Sequence, residues 1–138
     1  MSETQFGSSR EDLSTRSTVY AGDLFAGRTV VVTGAGGGLG LAIATLFARL
    51  GANLAINGRN EEKLALAKEF LESFGGEVFA VPMTIREPEQ VEDFVAKTNQ
   101  EFGAIDVLVN NAGGQYPQAA LEFSPKGWNA VIDTNLNG

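Results

Sequence analysis

The chain has 138 residues, of which 43% are hydrophobic, and a formal net charge of −7 at pH 7. This length and composition predict one globular domain or part of one, and the acidic balance argues against nucleic acid or membrane partners. The chain has no cysteine and no histidine, which excludes disulfides and histidine-dependent nucleophiles, and no metal site is expected.

Residues 1–22 are polar and charged and contain no apolar run. They lack the features of a signal peptide, and no later segment is long and apolar enough to span a bilayer. We therefore expect a cytoplasmic protein whose residues 1–22 form a flexible polar arm. The arm is either a leader without function or a contact within an oligomer.

A strand, a glycine-rich turn and a helix follow the arm. The β-branched run from Val30 to Thr33 predicts a buried strand that leads into the glycines. Apolar residues then recur at helical spacing until Gly51; they are Leu39, Ile43, Leu46, Phe47 and Leu50. This order of elements favours an anion site, because the free N–H groups at a helix N-terminus face the ligand.

The rest of the chain repeats the alternation of strand and helix. The predicted elements are 53–57, 61–75, 77–81, 87–103, 105–110 and a last helix that begins after Ser124. Over residues 23–138 this alternation predicts an α/β fold of the Rossmann type, a doubly wound parallel sheet with helices on both faces. Right-handed crossovers give this first half of the sheet the strand order 3-2-1-4.

The glycine-rich turn does not match the usual phosphate-binding motifs. The pattern G-x-G-x-x-G fails because Leu39 stands at its last position, and no Gly-Lys-Ser/Thr follows as in a Walker loop. The pattern present is G-x-x-x-G-x-G at Gly34, Gly38 and Gly40. These residues allow a sharp turn, a close approach of phosphate and close helix packing, respectively. The position of the turn favours a dinucleotide cradle, and a flexible turn without a ligand is the alternative.

The end of the second strand indicates which dinucleotide would bind. An NAD site places an acid there, about 20 residues beyond the glycines, on the ribose 2′-hydroxyl. No acid lies between Asn53 and Asn60, where Arg59 is found instead. Because a guanidinium can hold a phosphate through two hydrogen bonds, NADP(H) is favoured over NAD(H). The alternative is that Arg59 is an exposed loop residue without a ligand.

Three motifs together resemble the short-chain dehydrogenase/reductase family. They are T-G-x-x-x-G-x-G at 33–40, N-N-A-G at 110–113, and Asn135 in the position of the family's helix asparagine. The resemblance covers residues 25–138. Within it, G-G-Q followed by K-G-W is similar to the branch of peroxisomal trans-2-enoyl-CoA and 2,4-dienoyl-CoA reductases.

The resemblance implies an oxidoreductase that transfers hydride from NADP(H) to a carbonyl or an enoyl thioester. Its implied partners are a small-molecule substrate, with acyl-CoA as one candidate, and further copies of itself in a homo-oligomer. Asn135 would be catalytic by holding a proton-relay water, and bracing the sheet is its alternative role. The implied cofactor-binding residues are Gly34, Gly36, Gly37, Gly38 and Leu39 at the pyrophosphate, Arg59 at the adenosine ribose, Thr84 and Ile85 at the adenine, and Asn110, Ala112 and Gly113 at the riboses.

The chain departs from the family's pattern in two respects. Thr84 stands where the family has an acid that contacts the adenine. The catalytic tyrosine and lysine, which come as Y-x-x-x-K, are absent, because Tyr20 is followed four residues on by Leu24 and Tyr116 by Ala120. The chain is then either an incomplete reductase that is inactive as it stands, or a non-catalytic nucleotide-binding or interaction domain. We favour the first, since the apolar fourth strand shows none of the polar residues that protect a sheet edge.

Overall fold

In the computed structural model, which describes residues 7–138, four parallel strands form one sheet and helices cover both of its faces. Among the described helices, none combines the length and the apolar character needed to cross a membrane. The strands are β1 (Thr29–Val32), β2 (Asn53–Gly58), β3 (Val78–Pro82) and β4 (Val107–Val109). The helices are α1 (Arg10–Thr15), α2 (Gly38–Arg49), α3 (Glu61–Glu72), α4 (Pro88–Phe102) and α5 (Pro125–Asn135), with a 3-10 turn at Ala120–Glu122.

The strands lie in the order β3-β2-β1-β4, which confirms the predicted topology. The register pairs Val31 of β1 with Ala55 of β2 and with Leu108 of β4, and Ala55 in turn with Phe79 of β3. Because all four strands are parallel, their carboxyl ends meet at one edge of the sheet. The glycine turn and the loops after β2, β3 and β4 therefore begin close together.

Alternate residues of the central strands enter two separate cores. Val30 and Val32 pack on the face covered by α2 and α3. Val31 packs on the opposite face, against Phe94 of α4 and against Met83 in the loop that precedes α4. This alternation is the two-residue period of a strand. Burial on both faces explains the continuous apolar run of β1 and confirms the predicted helix layers.

The buried face of α2 agrees only in part with the apolar series that the sequence suggests. Leu39 is 71% exposed and Leu46 is 36% exposed, whereas Leu50 is buried and Ile43 and Phe47 pack against the core. The start of the helix lies very close to the glycine turn: a Cβ added at Gly40 would lie 2.4 Å from the carbonyl oxygen of Gly34. The buried residues of α2 are Gly40, Leu41, Ala44, Thr45 and Ala48.

Helix α1 lies within the predicted polar arm, where the sequence pattern predicted no element. A capping box starts it, since Ser9 Oγ accepts from the Asp12 N–H and the Asp12 carboxylate accepts from the Ser9 N–H. The Arg49 guanidinium at the end of α2 donates to the carbonyl oxygens of Leu13 and Arg16. Residues 1–6 of the arm lie outside the described residues, and the flexibility of the arm stays a prediction.

Candidate functional site

A cavity of about 550 Å³ opens at the carboxyl edge of the sheet. Its walls come from the glycine turn, the loop after β2 with the first turn of α3, the loops after β3 and β4, and the end of α5. The structure thus brings together residues that the sequence places as far apart as Gly34 and Thr134. The predicted site residues that line this cavity are Gly34, Gly36, Gly37, Arg59, Thr84, Ile85, Ala112 and Gly113.

Four predicted site residues do not line the cavity. Gly38 opens α2 just beyond it, the Leu39 side chain points to solvent, and Asn110 is exposed at the end of β4. Asn135 lies near the end of α5, with its amide bonded to the backbone of the loop after β4. A role for these four residues toward a cofactor or substrate stays a prediction.

The glycine turn presents free backbone donors to the cavity. The N–H groups of Gly34 and Ala35 are bonded to Asn57, but within residues 7–138 no hydrogen bond uses the N–H of Gly36 or Gly37. No side chain caps the start of α2 at Gly37, where an added Cβ would meet nothing within 4 Å. The turn is thus a cradle in which an anion can approach both the amides and the positive end of the helix.

A hydrogen-bond network fixes this cradle to the loop after β4. The Thr33 hydroxyl accepts from the N–H groups of Asn111 (3.0 Å) and Ala112 (2.9 Å), and Asn111 Nδ2 donates to the Thr33 carbonyl oxygen at 2.9 Å. Asn111 also lines the cavity. The sequence pattern placed Asn111 in the N-N-A-G motif without assigning it a contact, because its partner lies 78 positions earlier.

The cavity is positively charged although the chain as a whole is acidic. Three cations line it, Arg59, Lys63 and Arg86, and no carboxylate does so in the described part of the chain. Arg86 is partly neutralised, since its guanidinium lies 3.7 Å from the Asp133 carboxylate. The charge therefore suits an anionic ligand.

Several residues of this cavity were not predicted from the sequence. Asn57 could have been noticed as a polar residue inside the apolar strand β2, where it is 2% exposed. Asn111 belongs to the N-N-A-G motif, and the others carry no signal in the sequence beyond their place near the carboxyl edge of the sheet. The unpredicted lining residues are Asn57, Gly58, Asn60, Lys63, Met83, Arg86, Asn111 and Thr134.

A second cavity, of about 660 Å³, lies beside the start of α5 and has a mainly apolar wall. Phe123 and Trp128 meet there edge to face, with ring centroids 6.4 Å apart. No predicted site residue lines it. The lining residues are Gln118, Ala120, Phe123, Ser124, Pro125 and Trp128.

Comparison with known proteins identifies the family. The family model described as short chain dehydrogenase matches residues 28–138. A curated relative, the peroxisomal 2,4-dienoyl-CoA reductase [(3E)-enoyl-CoA-producing] of Arabidopsis thaliana, is 35% identical over 116 residues and covers 84% of this chain. This chain covers 39% of that protein.

Two solved structures share the fold. The citronellol catabolism dehydrogenase AtuB of Pseudomonas aeruginosa PAO1 has a TM-score of 0.81 and 39% identity, and the match covers 87% of this chain and 49% of AtuB. The L-sorbose reductase of Gluconobacter frateurii, complexed with NADPH and L-sorbose, has a TM-score of 0.79 and 31% identity, with 85% and 45% covered. The chain therefore spans less than half the length of each of these three proteins.

Proposed function

The chain belongs to the short-chain dehydrogenase family, and from that membership we propose that it forms the NADP(H)-binding portion of an oxidoreductase. The observation that carries the proposal is the cationic cavity at the carboxyl edge of the sheet, with free amides at its base. Helix N-termini with free N–H groups bind the pyrophosphate in other doubly wound folds. The chemistry of the donors in this cavity fits a dinucleotide.

Each wall of the cavity would hold one part of the cofactor. The N–H groups of Gly36 and Gly37 would bind the pyrophosphate, and the Arg59 guanidinium would bind a 2′-phosphate on the adenosine ribose. Thr84 and Ile85 would contact the adenine. The Thr84 hydroxyl would replace the family's acid as the polar contact, and the Ile85 side chain would supply an apolar one. When bound, the nicotinamide supplies or accepts the hydride of the reaction.

The preference for NADP(H) is supported by charge. Since no carboxylate lines the described cavity, it lacks the acid that accepts a hydrogen bond from the ribose 2′-hydroxyl in an NAD site. Arg59 lies where that acid would stand. A related solved structure contains NADPH, which agrees with this assignment.

The reaction we propose for the whole protein is hydride transfer to a carbonyl or to an enoyl thioester. An acyl thioester is supported by the name of the Arabidopsis relative and by the apolar cavity beside α5. Because no Y-x-x-x-K occurs in these 138 residues, we expect the chain by itself to bind nucleotide without turnover. A non-catalytic nucleotide-binding domain is the second candidate, and a Y-x-x-x-K in a longer gene product would decide against it.

Two further expectations belong to the same proposal. A cytoplasmic location stays a proposal, and one relative carries a peroxisomal location in its name. Assembly into a homo-oligomer follows the family pattern and would be measured by sedimentation of the purified protein.

Thermal melting with NADPH, with NADH and without nucleotide tests the function. A ligand that binds only the native state raises the melting temperature by mass action, so we expect a larger rise with NADPH than with NADH. Arg59→Ala should reduce the difference between the two nucleotides. A cooperative melt that neither nucleotide shifts would overturn the proposal.

A further inference from the structure

Lys63 lines the cofactor cavity together with Arg59, although the sequence pattern assigned it no role. It is the third residue of α3, which begins immediately after the loop that carries Arg59. The two cations therefore lie on the same wall of the cavity, four positions apart. Arg59 is the one residue assigned so far to the 2′-phosphate, and Lys63 adds a second cation to the same wall.

The position of Lys63 is fixed from two sides. Its N–H donates to the Asn60 side chain at 2.8 Å, which caps α3. Its Cβ lies 3.7 Å from the point that a Cβ added at Gly36 would occupy, so the root of the side chain borders the glycine turn. The root of the Lys63 side chain thus lies beside the glycine turn, on the helix that follows the loop of Arg59.

The charges around Lys63 leave it available for a ligand. Neither Lys63 nor Arg59 forms an ion pair with any carboxylate of residues 7–138, whereas Arg86 across the cavity does. Glu61 and Glu62 precede Lys63 in the helix, but they do not line the cavity. Two unpaired cations consequently share one wall.

We propose that Lys63 is a specificity-determining residue that binds the ribose 2′-phosphate together with Arg59, an inference that rests on the proposed function. A phosphate monoester carries a charge of about −1.5 to −2 at pH 7, which two cations neutralise and one does not. The pyrophosphate would already be bound by the free amides of the glycine turn and the N-terminus of α2. NADH lacks the 2′-phosphate and so gains nothing from Lys63.

The test measures binding rather than turnover. Dissociation constants for NADPH, NADH, adenosine 2′,5′-bisphosphate and 5′-AMP would be compared between the native chain and Lys63→Met, which keeps the length of the side chain and removes its charge. Since both cations are exposed, we expect a loss of about three- to five-fold for the two 2′-phosphorylated ligands. Affinity for NADH and 5′-AMP should stay within about two-fold of the native value.

Two further variants serve as controls. Lys126→Met removes an exposed lysine that lies outside the cavity and forms no ion pair among the described residues, and it should leave every affinity unchanged. Lys63→Arg keeps the charge and should retain the preference for NADPH. A melting curve without nucleotide shows that each variant is folded.

The outcomes separate the two hypotheses. Equal losses for NADPH and NADH in Lys63→Met would place Lys63 at the pyrophosphate and overturn the inference, as would no loss for either. A native chain that binds NADPH no better than NADH, or binds neither, would overturn the proposed cofactor itself and the inference with it. Loss confined to the 2′-phosphorylated ligands, with the preference kept in Lys63→Arg, supports both.

Discussion

The side chain of Asn135 is bonded to both backbone polar groups of Gly114. Its Oδ1 accepts from the Gly114 N–H at 3.2 Å, and its Nδ2 donates to the Gly114 carbonyl oxygen at 2.8 Å. The same Nδ2 donates to the Val131 carbonyl oxygen one turn earlier in α5. These bonds fasten α5 to the loop that forms one wall of the cofactor cavity. They support the bracing role of Asn135, and its catalytic role stays a prediction.

Replacing Asn135 by alanine should loosen this wall. Because the bonds lie at an exposed position, each contributes only about 0.5–1.5 kcal/mol net, and we expect the free energy of unfolding to fall by about 1–2 kcal/mol. NADPH affinity should fall as well, since the loop would have to be ordered on binding. Urea unfolding and nucleotide titration measure the two effects.

Asn137→Ala is the matched control for Asn135→Ala. Asn137 is also exposed, and its side chain donates only to the Asp133 carboxylate, away from the loop. This variant should change neither stability nor affinity by a measurable amount. If Asn135→Ala behaved like the control, the brace would be unimportant for the cavity.

Gly40→Ala should destabilise the fold, whereas Gly37→Ala should affect the site. A Cβ at Gly40 would lie 2.4 Å from the Gly34 carbonyl oxygen and 2.5 Å from Asn111 Nδ2, so helix and turn must move apart. Forcing such overpacking costs about 1–3 kcal/mol. Gly37 is extended and has open space around it, so alanine there should cost under about 1 kcal/mol and weaken nucleotide binding by obstructing the cradle.

The two glycine variants are compared in the same experiments. Chemical denaturation gives the loss of stability, and titration with NADPH at a temperature where both variants are folded gives the affinity. Equal stability of Gly40→Ala and the native chain would contradict the close contact between α2 and the glycine turn. Unchanged affinity in Gly37→Ala would count against the cradle as the pyrophosphate site.

Acid should weaken the attachment of β4 through Asp106. The Thr29 N–H and the Arg28 guanidinium both donate to its carboxylate, and these bonds lower the pKa of Asp106. A carboxyl group whose pKa is lowered on folding stabilises the native state fully when the pH is above its unfolded pKa of about 4. That stabilisation is lost as the pH falls through the lower pKa of the folded state. We therefore expect Asp106→Asn to be less stable than the native chain at pH 7, and the difference in stability to shrink as pH falls below about 4.

Urea unfolding across this pH range measures the effect. Asp23→Asn is the control, because Asp23 is exposed and its carboxylate accepts no hydrogen bond within residues 7–138. A constant difference in stability between Asp106→Asn and the native chain from pH 7 to pH 2 would exclude a contribution from the titration of Asp106.

Arg49→Met should release α1 without unfolding the sheet. The guanidinium of Arg49 holds two carbonyl oxygens at the end of α1, and α1 itself has no buried residue. The free energy of unfolding should change by under about 1 kcal/mol. Trypsin should cut faster after Arg16, because cleavage follows local opening of the segment.

Lys97→Met serves as the control for Arg49→Met. Lys97 is exposed and pairs only with Asp93 within α4, so its loss should leave cleavage after Arg16 unchanged. Native-rate cleavage in Arg49→Met would show that other contacts hold α1 in place.

Most of the fold could be predicted because it depends on local patterns. Alternating apolar strands and amphipathic helices are visible in the sequence, and the handedness of the crossovers then leaves few strand orders. The position of the glycine turn between a strand and a helix predicted the start of the candidate site, as did Arg59 at the end of β2. Helix α1 was missed because its capping box, Ser9 with Asp12, lies in a stretch without apolar periodicity.

Only the tertiary structure decided which residues meet across the cavity. Lys63 borders the glycine turn, and Asn135 holds the loop at Gly114, although long stretches of chain separate the members of each pair. The close approach of α2 to the glycine turn was likewise visible only in the fold, since it leaves no room for a Cβ at Gly40. The sequence by itself determined the elements and their order, since these follow from local periodicity. The contacts depend on how closely the elements pack, a property of the assembled fold.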